Sequence, residues 1–60
     1  MNAKESLVKA GVRLLERDGL DALSARNVAA EAGTSTMAVY THFGGMTNLV
    51  DAVAVDVFVR

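Results

Sequence analysis

Residues 24–43, SARNVAAEAGTSTMAVYTHF, spell out two short helices folded about a glycine. Ser24 is a natural N-cap, because its hydroxyl can accept a hydrogen bond from one of the N–H groups that a helix start leaves without a partner. Val28, Ala29 and Ala32 then recur at helical spacing. With Leu23 just before the cap they form one apolar side, while Arg26, Asn27 and Glu31 point elsewhere. Gly33 closes the segment: a glycine just past the last periodic residue takes the left-handed conformation that ends a helix, which a residue with a Cβ resists. Thr34, Ser35 and Thr36 prefer turns and caps to helix interiors, so a second N-cap is expected at Ser35. From it, Val39, Tyr40 and Phe43 run along one side. Thr36, Met37, Thr41 and His42 are left on a short, neutral, hydroxyl-rich face.

Helix, glycine turn and a second helix with an exposed polar face make the pattern of a helix-turn-helix. In that motif the second helix enters the DNA major groove with its N-terminal residues toward the base edges. Spacing alone fits a plain helical hairpin equally well, so the rest of the chain must separate the two.

Sixty residues make one small domain, near the lower limit at which a single core holds unaided. Cysteine is absent, so neither a disulfide framework nor a thiolate metal site contributes. His42 is the only histidine, which excludes a protein-only histidine cluster or a catalytic triad; no metal, cofactor or enzymatic activity is expected. Proline is also absent and aromatics are few, a mix that favours an all-α packing of small side chains. The N-terminus MNAKESLVKAGVRLL carries charges throughout and lacks the apolar run of a signal peptide. No stretch reaches the roughly 18 apolar residues of a membrane span, and the expectation is a cytoplasmic protein without membrane contact.

The net charge of −1 argues against a nucleic-acid partner, which a basic footprint usually announces. Its distribution argues the other way. Between Glu31 and Asp51 there is no acidic side chain, so the second helix and its flanks would meet phosphates without local repulsion. The expectation is an electrostatically divided surface with a weak, salt-sensitive affinity for DNA.

Upstream, residues 5–17 should form the first helix, with Leu7, Val8, Ala10, Val12, Leu14 and Leu15 making a broad apolar stripe. Arg13 and Arg17 share a face; pairing with Glu16, Asp18 and Asp21 is the favoured role over phosphate contact. Asp18-Gly19 is the stop signal, and Leu20 and Leu23 should anchor the crossing to Ser24 in the core. Downstream, Gly44-Gly45 interrupts the pattern and Met46-Thr47-Asn48 opens a last helix expected to run to the end of the chain. Its first N–H groups are a ready site for a phosphate oxygen; a plain flexible turn is the alternative. Val53, Val55, Val57 and Val59 alternate at period two, as in a strand, yet a lone strand after three helices has no partner, so helix is expected. That helix is apolar nearly all round, more than a free-standing monomer usually exposes, and the simplest account is further helices packed on it.

Laid out as LSARNVAAEAGTSTMAVYTHFGGMTNLVDAV, the chain resembles the N-terminal DNA-binding domain of TetR-family transcriptional regulators. The resemblance covers nearly all sixty residues and is most specific at Ala29-Ala30-Glu31-Ala32-Gly33, Ser35, Ala38-Val39-Tyr40, His42-Phe43 and Leu49. It implies an all-α, homeodomain-like helical bundle: three helices, with the helix-turn-helix at 24–43, and the start of a fourth, linking helix. It further implies sequence-specific binding of operator DNA by a repressor that a small-molecule inducer releases, dimeric through a larger C-terminal domain expected to be absent from residues 1–60. A homodimer is therefore expected of a full-length member and not of these residues alone, which hold no inducer site.

Carried over position by position, the resemblance gives Arg26, Ser35, Thr36, Met37 and Thr41 as base contacts. Arg26 can bond guanine bidentately, and Thr and Met can touch thymine methyls; for Arg26 the alternative is a salt bridge to Glu31 or another nearby acid. Ser24, Tyr40, His42, Gly45 and Thr47 are implied as phosphate contacts, Tyr40 and His42 with polar tips outward and rings packed inward. For His42 a place at the core edge is the alternative. Met46 stands where the family usually has a phosphate-binding lysine, and Gly45 where a capping serine is common, so backbone N–H groups and Thr47 must do that work. Thr41 replaces a larger residue often seen there, which leaves the bases read undetermined. The competing expectation is a helical protein-interaction module or degenerate fragment whose DNA face is vestigial.

Overall fold

The structure is a computed structural model in which residues 2–59 are described. Four α-helices follow in order: α1 (Ala3–Asp18), α2 (Ala25–Ala32), α3 (Thr36–Phe43) and α4 (Met46–Phe58), with a single 3₁₀ turn at Leu20–Ala22 between the first two. The all-α expectation holds throughout. α1 begins two residues earlier than its apolar pattern suggests because Asn2 caps it, Oδ1 accepting from the Glu5 N–H at 2.8 Å. The alternating valines are helical as far as Phe58, since no second strand exists among the described residues to satisfy their backbone groups. The expected extension to Arg60 lies outside the described residues.

α1 lies at the centre and packs against each of the other three helices. The core takes Leu7, Ala10, Val12 and Leu14 from α1, Ala25, Val28 and Ala29 from α2, Val39 and Phe43 from α3, and Leu49 and Val53 from α4. Most of these side chains are small, so the helices must approach closely for the core to close. Where α1 meets Val53 of α4 it offers no side chain at all. Gly11 is buried, and a Cβ built there would fall 2.5 Å from Val53 Cγ2.

Two expectations need correction. Leu20 is 65% exposed instead of an anchor. It opens the 3₁₀ turn, whereas Leu23 has already left that turn for an extended backbone (φ −78°, ψ 97°) and packs against the core. The two leucines therefore do not share a face. The second correction concerns the arginines. Arg17 pairs with Asp18 as expected (3.1 Å), but Arg13 and Arg17 also both pair with Glu31, at 3.1 and 3.2 Å. Arg13 and Arg17 stand one turn apart on α1 and receive the carboxylate from α2 between them, a long-range pairing that local spacing does not reveal.

The clamp holds the pKa of the Glu31 carboxyl below its ordinary value, first through the Arg13 hydrogen bond and then through that of Arg17. The hydrogen bond to Asp18, and after it the one to Glu31, raise the pKa of Arg17. A carboxyl whose pKa is lowered on folding contributes stability that is complete above its unfolded pKa, near 4.5, and lost as pH falls through the folded one. Glu31→Gln should therefore melt below the wild type at pH 7, and the gap should narrow as pH falls below about 4. Thermal melts of both proteins from neutral to acid pH check this; a gap constant with pH would show that the ion pairs add nothing. The pairs are solvent-exposed, so the gap should be small.

A candidate nucleic-acid interface

The turn between α2 and α3 sets the direction of the second helix. Gly33 adopts φ 75°, ψ 34°, and its N–H bonds Ala30 O (3.2 Å) while that of Thr34 bonds Ala29 O (2.9 Å). This pair of bonds satisfies carbonyls at the end of α2 and needs a left-handed residue between them. Ser35 then caps α3, its Oγ accepting from the Ala38 N–H at 3.3 Å. Ser24 does the same for α2 toward Asn27 N, at 3.0 Å. Both caps fall where the sequence places them. Because each oxygen accepts, each hydroxyl proton remains free to donate outward.

α3 hides Val39 and Phe43 and turns everything polar outward. Ser35, Thr36, Met37, Thr41 and His42 are exposed, Met37 to 74%. Tyr40 departs from its expected inward packing: half of it (51%) is accessible, as fits a residue next to the buried Val39 and Phe43 but on the flank of that stripe. The core-edge alternative for His42 also fails, since the side chain is exposed. No acid interrupts this face from 32 to 50.

Arg26, second residue of α2, is exposed and makes no ion pair among the described residues. The alternative bridge to Glu31 is not formed; that carboxylate is bonded by Arg13 and Arg17 of α1 instead. At the far end, α4 starts at Gly45 with no side-chain cap. Its first-turn N–H groups have no acceptor within the helix. Thr47 is exposed beside them, while Met46 turns its side chain to the core. Asn48 reaches back instead, its Nδ2 donating to Phe43 O at 2.6 Å, and so ties the start of α4 to the end of α3.

One contact had no signal in the sequence. The Lys4 ammonium lies 5.4 Å from the centroid of the Phe43 ring, bringing the start of α1 to the C-terminal end of α3. Thirty-nine residues of separation put this beyond any local pattern.

Among the described residues, no helix is long and apolar enough to cross a membrane. A family model described as bacterial regulatory proteins, tetR family, matches residues 7–53. The chain is similar to the HTH-type transcriptional repressor DrrR1 of Streptomyces coeruleorubidus, 43% identical over 47 residues, covering 78% of this chain and 17% of that one. It is also similar to the class D tetracycline repressor protein of Escherichia coli (33% identical; 95% and 26% covered). A third relative is the HTH-type nicotine-responsive transcriptional repressor HdnoR of Paenarthrobacter nicotinovorans (32%; 93% and 29%). The chain thus spans less than a third of the length of each of these relatives. No solved structure matches it. With all of α2, the glycine turn and α3, and most of α1 and α4, inside the matched region, the chain belongs to the tetR family of bacterial regulatory proteins and carries that family's helix-turn-helix domain.

Proposed function

We propose that this domain binds operator DNA by placing α3, residues 36–43, in the major groove, as the DNA-reading part of a repressor released by a small molecule. The observation that carries the proposal is the division of α3 itself: Val39 and Phe43 are hidden, while Ser35, Thr36, Met37 and Thr41 form an exposed, acid-free face. A helix of this diameter fits the major groove. There Thr36, Met37 and Thr41 meet thymine methyls and base-edge acceptors, with the Ser35 hydroxyl proton at the helix start. Arg26 approaches a guanine edge from the flank. Ser24, Tyr40, His42, Thr47 and the backbone at Gly45 hold phosphates and set the register.

Ligand release and dimer formation are supported by kinship alone. One relative is named for its response to nicotine, and the relatives are several times longer than this chain. The inducer pocket and the main dimer contact would be formed by residues other than these sixty.

The test is fluorescence anisotropy of a labelled duplex titrated with the domain between about 50 and 200 mM salt. Affinity should fall steadily as salt rises, and Arg26→Ala combined with Tyr40→Phe should remove most of it. A second reading has its own support: Val55, Val57, Phe58 and Val59 leave the end of α4 apolar and open, Phe58 to 89%, as in a helical module that assembles through this surface. Self-association without salt-dependent DNA affinity would select that reading and sink the first.

A further inference from the structure

The chain carries six lysines and arginines, and the fold commits half of them elsewhere. Lys9 is bonded to Asp56 at 3.3 Å, Arg13 to Glu31, and Arg17 to both Asp18 and Glu31. Arg60 lies outside the described residues. Among the described residues two cations have no acidic partner: Arg26 at the start of α2 and Lys4 in the first turn of α1.

Lys4 is far from the helix-turn-helix in sequence but not in space. Its ammonium is held over the ring of Phe43, the last residue of α3, next to the exposed His42 and just before the uncapped start of α4. An ammonium over an aromatic face keeps its outward side for another acceptor. Phe43 is itself fixed: its side chain is buried and its carbonyl is bonded by Asn48. The ring is thus a fixed shelf for a flexible cation at one end of α3. The α4 start has no cation of its own, since no lysine or arginine lies between Arg26 and Arg60.

Building on the proposed DNA-binding function, we propose that Lys4 is a phosphate-binding residue of this interface, contributed by α1 and positioned by Phe43. The ligand group is a backbone phosphate of duplex DNA, so the contact adds affinity without choosing sequence. A lysine serving only to cover Phe43 would leave the salt dependence of binding unchanged.

That difference supplies the test. Each neutralised phosphate adds about 0.9 to the slope of log affinity against log salt. Lys4→Gln should shrink the slope by about that amount on duplexes of any sequence, and Lys4→Arg should restore it, with melting temperatures of both variants recorded alongside. Wild-type binding with a clear salt slope that Lys4→Gln does not alter overturns this assignment and leaves the proposed function standing. Absence of salt-dependent binding by the wild type overturns the proposed function itself. A slope lost in Lys4→Gln and not recovered in a folded Lys4→Arg also counts against a simple phosphate contact.

Discussion

Gly11→Val should unfold the domain at physiological temperature. A Cβ at residue 11 would stand 2.5 Å from Val53 Cγ2, and Leu23 Cδ2 lies 3.7 Å away on another side. Val53 is 1% exposed and, being β-branched on a helix, has essentially one rotamer to occupy, so it cannot swing aside. α1 and α4 must separate instead. Alanine alone sets a gain in helix propensity of about 1 kcal/mol against an overpacking cost of about 1–3 kcal/mol, for a modest net loss. Valine adds two further methyls in the same space and exceeds that range. A domain of this size has only about 3–9 kcal/mol in hand, and each kcal/mol lost lowers its melting temperature by about 4–8 °C. Thermal and urea unfolding followed by circular dichroism measure the effect. Val53→Ala should partly rescue Gly11→Ala, since it removes the colliding methyl. A Gly11→Val protein melting with the wild type would mean that α1 and α4 do not meet at this point.

Gly11 also marks the boundary of what the sequence discloses. A glycine in the middle of an apolar helix stripe reads locally as a weak helix former, and nothing near it in the chain announces Val53. The local devices are a different matter. Ser24, Gly33 and Ser35 cap and turn within three or four residues of the groups they satisfy, so type and spacing suffice to place them. The exposed set on α3 follows from the same helical period once Val39 and Phe43 are known to point inward. Tyr40 was harder, because a residue on the flank of an apolar stripe is amphipathic in the sequence and half-open in the fold. The pairings that cross between helices were illegible for one common reason. Glu31 with Arg13 and Arg17, Lys9 with Asp56, and Lys4 with Phe43 depend on how helices are set against each other, and charge order along a chain does not encode that. The resemblance to a known family supplied the architecture, but not these contacts.

Met37→Glu should leave the fold intact and cost about a hundredfold in DNA affinity, corresponding to the several kcal/mol at stake when like charges are juxtaposed in an interface. Met37 is the second residue of α3 and 74% exposed, so the change removes little packing. A carboxylate in the first turn of a helix is favoured by the helix dipole, which makes an unchanged or slightly raised melting temperature the expected result. In the groove the same carboxylate would be surrounded by phosphates and by base edges rich in acceptors. It would also sit on a face that has no acid from 32 to 50 and little positive charge to offset one. Val55→Glu is the matched control: it adds the same charge at an exposed position, nine residues beyond the start of α4 or about 14 Å along its axis. If charge acts only through the net total, the two variants will weaken binding equally. If α3 enters the groove, Met37→Glu will lose far more than Val55→Glu at the same salt. Met37→Gln, neutral and of similar reach, should lose least of the two substitutions at that position. Equal losses from Met37→Glu and Val55→Glu would remove α3 from the groove, however closely the fold follows its family.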